Sequence, residues 1–364
     1  MHPKEKCKIL FINLGYNGDG IFSFPLIKSI KNKLPDSHIT ILGLNRAKDV
    51  YELCPYIDKI ITYCANKNKF TFNLLKIIPN ILFTRYDYIF VHLSNTYLNL
   101  FLFIKKFLNK SKIIGFNRSP YSKLFYSKTV NFPDNGIYEP EFIHSLIEVI
   151  FPDTKAEIPQ IVIPLKYIEW AHRLIGNNND KLMIIIHPGC SSTAQHKSWA
   201  KENWTELIKK LVISNKYKIL LCGGPDDKNI IDGIRQTLNL KEYNSNFVDL
   251  YCQTPTISEF AALVSISDIL VCIDSAPMHI GLGIDGIKII SIIGPTNEKV
   301  FSSPSNKNHI IVTKDLNCRP CLYVRNITVN QRRLPACNNL ECLNVSPDKV
   351  IQEIEKITAE ISTK

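Results

Sequence analysis

Three groups of residues in this chain of 364 carry chemistry in their type and spacing. The first is Val271-Cys-Ile-Asp-Ser-Ala-Pro-Met-His-Ile280, where an apolar run from Ile269 ends at Asp274 and the Ser275-Ala276-Pro277 turn opens a helix-patterned segment. Small residues and a proline at a helix start leave backbone N–H groups at the positive end of the dipole, where a phosphate can sit. His279, in the first turn with Met278, fits equally well as a satisfied core histidine. The second group is Cys318-x2-Cys321-x15-Cys337-x4-Cys342. Its first pair has metal-knuckle spacing, and the second returns at a distance compatible with four thiolates around a structural zinc or iron, a set with no open position for catalysis. Four reduced thiols without metal are the alternative. The third group is a series of Gly/Pro turns: the loop Gly15 to Gly20 holding Asp19, then His187-Pro188-Gly189, Gly223-Gly224-Pro225 and Gly294-Pro295-Thr296. By position alone Asp19 serves as an N-cap for a helix beginning near Ile21.

The elements that must position these turns are short apolar runs. In the second half Leu182 to His187, Lys218 to Cys222, Ile269 to Ile273 and Lys288 to Ile293 each finish in small, polar or Gly/Pro residues. In an open parallel sheet ligands bind at that carboxyl edge. In the first half Lys8 to Leu14, Ile39 to Leu44, Lys59 to Tyr63, Tyr88 to Leu93 and Lys112 to Phe116 alternate with helical segments, among them Ile21 to Leu34 and Arg46 to Cys54. Buried strands alternating with helices predict a parallel α/β sheet covered on both faces. Asn117 to Pro140 reads as a long loop, and the break between the halves falls between Glu157 and Asp180. The expected domains are 1–165, 166–345 with the cysteine cluster at 318–342, and a closing helix in 346–364 that starts Ser346-Pro347-Asp348.

Apolar content of 45% and charged content of 21% are those of a globular protein of one or two domains. The apolar run after the polar N-terminus ends in a Gly-rich loop, which is a first strand and not a signal peptide. No apolar stretch reaches the roughly 18 residues of a membrane span. A cytoplasmic protein is expected, with its cysteines as thiols or metal ligands. The net charge of +11 is uneven: residues 1–165 hold 21 Lys/Arg against 13 Asp/Glu, and residues 65–130 hold 11 basic residues and one acid, Asp87. This predicts an acidic partner for the first half, a solvated surface being the plainer alternative. Tyr97 to Leu108, apolar and aromatic with two lysines near its end, is expected to pack on the sheet; beside a basic surface it also fits a helix lying on an anionic bilayer.

Taken in order, Gly18-Asp19 with Pro25, His187-Pro188-Gly189 followed by Lys197-Ser198-Trp199, Gly223-Gly224-Pro225, Asp274 to His279, and Gly294-Pro295-Thr296 resemble glycosyltransferase family 9, the ADP-heptose:lipopolysaccharide heptosyltransferases. Ser275 and Ala276 stand where that family usually has Thr and Gly. The resemblance implies a GT-B fold, two facing Rossmann-like domains with an interdomain cleft. It implies an inverting transfer, in which one carboxylate takes the acceptor proton and a cationic site holds the diphosphate. The matching base is Asp19. Lys197 matches the diphosphate cation, and the donor site would be completed by His187, Gly189, Ser191, Ser192, Gly223, Asp274, Ser275, Ala276, Met278 and His279, with Asp226 or Asp227 on the ribose. No catalytic metal is expected, because Asp226-Asp227 lacks the Asp-x-Asp spacing of metal-dependent relatives.

The implied partners are a nucleotide-sugar donor, ADP-heptose, and an acidic glycolipid acceptor of the lipopolysaccharide core. Peripheral contact with the anionic inner membrane, at its cytoplasmic face, goes with them. A different donor sugar or an epimerase of the same fold stays open. A nicotinamide enzyme does not suit Gly15-x-x-Gly18-x-Gly20, whose order is wrong. A basic, zinc-containing nucleic-acid-binding protein leaves the four punctuated strands unexplained, so no nucleic acid is expected.

Overall fold

The apolar runs of the first half become six parallel strands, β1 (Lys8–Asn13), β2 (His38–Leu44), β3 (Lys59–Tyr63), β4 (Tyr88–Leu93), β5 (Lys112–Phe116) and β6 (Lys128–Val130). Their order in the sheet is β3-β2-β1-β4-β5-β6. The second half repeats the plan with β7 (Leu182–His187), β8 (Tyr217–Gly223), β9 (Phe247–Tyr251), β10 (Ile269–Ile273), β11 (Lys288–Ile292) and β12 (His309–Val312), ordered β12-β11-β10-β7-β8-β9. The structure, a computed structural model, describes residues 6–64, 77–79, 81–108, 111–132, 136–176, 181–238, 246–303, 305–322, 337 and 339–362.

Central strands are apolar throughout because helices cover both faces of each sheet. All of β8 and β10 is buried, and Val271 pairs with Ile186 on one side and Ile290 on the other. The first sheet has the same logic, with Ile9 between Ile39 and Tyr88. In each sheet the strand order reverses between the first and fourth strands, β1/β4 and β7/β10, and loops leaving those strands flank a natural binding crevice. The chain divides into two compact units, one through Val162 and one from Ile163. That is three residues before the expected boundary.

Several elements depart from expectation. The helix expected from Ile21 is two helices, Asn17–Phe22 and Phe24–Lys33, broken at Ser23. Pro25 has no N–H to continue the first one, and the Ser23 hydroxyl donates to the Gly20 carbonyl at 2.6 Å. The supposed loop Asn117 to Pro140 holds a one-turn helix, Ser122–Phe125, the edge strand β6, and the start of the helix Glu139–Glu148. Strands of three to five mostly half-buried residues such as β6, β9 and β12 are too short to stand out as central strands do. The linker region carries the helix Leu165–Ile175, which packs on the helix Ile257–Ser265. The final helix, Pro347–Ser362, is no separate unit: Val350, Ile354 and Ile357 are buried in the core of the second unit.

Candidate active site

In the second unit the loop after β7 brings a cation to the carboxylate at the end of β10. Lys197 closes the 3-10 segment Ser192–Lys197, and its Nζ lies 2.7 Å from Asp274 Oδ2 and 5.9 Å from the centre of the Phe301 ring. Asp274 is 3% exposed. Burial pushes its carboxyl up, but the Lys197 charge leads a set of neighbours, His279 and the Thr296 hydroxyl among them, that together hold it below the ordinary carboxylate range. His279 Nε2 stands 3.9 Å from Asp274 Oδ1, and burial pushes the imidazole down to about 4, so it is neutral at pH 7. Of this group of Lys197, Asp274 and His279, Lys197 carries the positive charge.

The loop carrying Lys197 is pinned from below. Trp199 is buried, and its indole N–H donates to the Val345 carbonyl at 3.0 Å; Trp204 meets it edge-on. Cys190 closes the other end, its thiol donating to the Ala194 carbonyl at 3.3 Å. Ser191 and Ser192 are exposed on the loop, with the Ser191 and Thr193 hydroxyls 3.1 Å apart.

The two aspartates after β8 separate cleanly. Asp227 is buried and accepts from the Gly224 N–H at 2.8 Å, which shapes the turn, and His187 Nε2 lies 3.8 Å away. Asp226 is exposed to solvent. Gly223 is buried at the end of β8, with Ile231 and Asp227 against the place of a side chain. The helix Ala276–Leu282 follows Ser275, as expected, and Ser275 and Ala276 are half-buried at its mouth. Met278 is different: its side chain is wholly in the core and its N–H donates to the Ser275 carbonyl at 3.0 Å. With Pro277 lacking an N–H, this helix end offers fewer free amides than its sequence promised.

In the first unit Asp19 lies inside the helix Asn17–Phe22, where its Oδ2 accepts from the Tyr16 N–H at 2.7 Å. It thus caps its own helix from the third position, not from the front as expected. Gly15 makes room for it: a Cβ there would stand 2.5 Å from Asp19 Oδ2. Burial raises the Asp19 carboxyl above the ordinary range, against the pull of His92, the Tyr16 amide and Arg118 and with a push from Glu139. A carboxylate of raised proton affinity, still reached by solvent, is what a general base requires. Sequence reasoning missed the residues around it. His92, in the interior of β4, has Nε2 at 3.5 Å from Glu139 Oε1, and Arg118 donates to the His92 carbonyl at 3.2 Å. Burial pushes the His92 imidazole down to about 3. A histidine inside an apolar run carries no motif, so only the fold reveals it.

Residues 92–330 match the model of glycosyltransferase family 9 (heptosyltransferase). The chain belongs to glycosyltransferase family 9. Over 352 residues this glycosyltransferase is 25% identical to lipooligosaccharide heptosyltransferase 2 of Campylobacter jejuni serotype O:6, covering 96% of the chain and 99% of the relative. Among solved structures it is similar to a family 9 glycosyltransferase of Veillonella parvula (TM-score 0.76, 18% identity, 99% of both chains). It is also similar to the E. coli ADP-heptose lipopolysaccharide heptosyltransferase II (TM-score 0.73, 16% identity, 98% of this chain and 99% of that one). The expected α/β architecture of the GT-B type, two Rossmann-like units, is therefore the fold of this transferase.

The cysteine segment of the glycosyltransferase is tied to the turn after β11. Cys321 and Leu322 N–H groups both donate to the Pro295 carbonyl at 3.0 Å, and Arg319 donates to the carbonyls of Gly294 and Thr296 and pairs with Glu298. Cys342 is buried; burial raises its thiol, as do the nearby Cys337 and Cys321, against Arg319. Cys318 and Cys337 are exposed. Among the described residues no three His, Cys, Asp or Glu are grouped to hold a metal ion.

Proposed function

We propose that this family 9 enzyme transfers heptose from ADP-heptose to a lipopolysaccharide or lipooligosaccharide core acceptor, with inversion at the anomeric carbon. The observation that carries the reading is the Lys197–Asp274 pair at the switch point of the second sheet, a cation fixed where a diphosphate would sit. Lys197 takes the charge that builds on the leaving ADP, and Asp274 fixes the lysine in place. His187, Gly189, Ser191, Ser192, Gly223, Ser275, Ala276 and His279 shape the donor pocket, and Asp226 takes the ribose hydroxyls. Met278 supports the helix from behind. Asp19 accepts the proton of the attacking hydroxyl as the bond from the sugar to ADP breaks.

The acceptor is an acidic glycolipid, which suits the excess of Lys/Arg in residues 65–130. No helix among the described residues is long and apolar enough to cross a membrane. The enzyme reaches its acceptor as a peripheral protein at the cytoplasmic face of the inner membrane. The reading extends to a structural zinc or iron on Cys318, Cys321, Cys337 and Cys342. Four thiols suit either metal, and Cys337 and Cys321 already lie near Cys342. Elemental analysis of the purified protein against a Cys318→Ser variant tests it.

The test of the main reading is incubation of the purified protein with ADP-heptose and a heptose-deficient core acceptor, read by mass spectrometry. A product heavier by one heptosyl unit is expected. Turnover of another nucleotide sugar, with ADP-heptose inert, would replace the donor assignment.

A further inference from the structure

The helix Thr96–Leu108 is amphipathic the wrong way round. Its apolar residues Leu98 and Leu102 are buried, as expected, but so is Lys105, whose residue is 0% exposed and whose Nζ donates to the Leu82 and Thr84 carbonyls at 3.0 and 2.5 Å. Desolvation pushes that amine down to about 8. Lys106 is turned aside as well, its Nζ donating to the Lys123 and Tyr126 carbonyls at 3.1 and 3.0 Å. The face left to solvent consists of Leu100, Ile104, Phe107 and Leu108, with Phe107 71% exposed. Their spacing of four, three and one residues keeps them on one stripe of the helix. The neighbouring helix Ser122–Phe125 adds exposed Leu124, with Tyr121 just before it. Leaving such a contiguous apolar face in water while hiding two lysines is a poor arrangement for a surface with no partner.

The charges around the stripe decide what the partner is. Arg85, Lys112, Lys123 and Lys128 are exposed, three of them at the starting edge of β4, β5 and β6, the edge at which the helix ends. Between residues 77 and 132 the sole acid is Asp87, and its carboxylate accepts from the Lys8 N–H at 2.8 Å. A symmetric pairing of two copies through this face would bring the same cations together, so self-association is disfavoured. An apolar stripe rimmed by cations matches a lipid surface of negative charge.

We infer that the helices Thr96–Leu108 and Ser122–Phe125 form the face by which the enzyme docks on an anionic phospholipid bilayer. Leu100, Ile104 and Phe107 enter the acyl boundary and the rim cations meet headgroup phosphates. The inference rests on the glycolipid reading above and names the surface that serves it. The helix starts at the carboxyl edge of the first sheet, the edge that also carries the Asp19 loop. A bilayer against this face therefore adjoins the edge where the acceptor hydroxyl must be presented.

The test is co-sedimentation with vesicles of phosphatidylcholine containing about one third phosphatidylglycerol, and with phosphatidylcholine alone. Wild type should pellet with the anionic vesicles only, and Leu100→Ser with Phe107→Ser should lower the bound fraction about tenfold. Lys112→Glu with Lys123→Glu, which leaves the apolar stripe intact, should do the same and guards against a misfolded first variant. Failure of wild type to pellet, or pelleting unchanged in both variants, overturns the inference. So does light scattering that finds a wild-type dimer dissociated by the serine variant, which would make the face an interface between copies. Vesicle binding is measured without donor or acceptor, so absence of heptosyl transfer would count against the proposed reaction and leave this surface standing.

Discussion

A Cβ at position 189 would stand 1.7 Å from Asp227 Oδ1, so the carboxylate that shapes the turn after β8 occupies the space a side chain would need in the turn after β7. Two loops that meet only in the folded chain are fitted to each other through that one absent methyl. Gly189→Ala should therefore destabilise the second unit by about 2 kcal/mol, an overpacking cost, and weaken ADP binding. Gly224→Ala, whose nearest facing atom is 4.0 Å from a new Cβ, is the control and should be much milder. Urea denaturation and calorimetric titration with ADP read the two effects.

Asp19→Asn keeps an oxygen to accept from the Tyr16 N–H and removes the base. Turnover should fall about a thousandfold with ADP affinity and thermal midpoint close to wild type. Turnover within a few-fold of wild type would take the proton-transfer role away from Asp19.

Lys197→Ala removes the cation and leaves Asp274 buried without its charge partner, a loss of about 3 kcal/mol in stability. Affinity for ADP should drop as well. Adding Asp274→Asn should recover much of the stability and none of the affinity, which separates the two roles of the lysine. Thermal melts and ADP titration across the cycle of four proteins make the measurement.

Acid should loosen the fold well before carboxylates titrate. Burial pushes His92 down to about 3 and both His279 and His309 to about 4, so the unfolded chain binds protons near 6.5 that the folded chain refuses. Their contribution to stability is complete above pH 6.5 and is lost as pH falls toward 4. Asp274, held low, adds loss only below the ordinary carboxylate range, and Asp19, held high, opposes the trend slightly. The thermal midpoint should fall steadily from pH 7 to 5, and His309→Gln should flatten the slope.

How much of this was legible in the residues depends on how strongly each was punctuated. The strands β7, β8, β10 and β11 can be read because each is a buried apolar run stopped by Gly, Pro or Asp, and those stops place Asp274 at the sheet edge, while Lys197 enters the site through the family resemblance. The strands β6 and β12 cannot, since three or four mostly half-buried residues give too short a pattern to mark a strand. Asp19 reads as a cap from its position, and as a base only through the family resemblance. His92, Glu139 and Arg118 converge from a strand, a helix and a supposed loop, a meeting that no spacing along the chain records. The Tyr97 to Leu108 helix was recognised by its apolar content, but which side it buries is set by where Lys105 finds carbonyls, and those belong to residues some twenty positions earlier.

The hydrogen bond from Trp199 to the Val345 carbonyl makes the end of the chain a foundation for its ligand loop. The helix that follows Val345 looks like an appendage in sequence, yet Val350, Ile354 and Ile357 share one core with the tryptophan of the Lys197 loop. Shortening the protein there would be felt far upstream, as a slackened grip on the nucleotide and not as a frayed terminus.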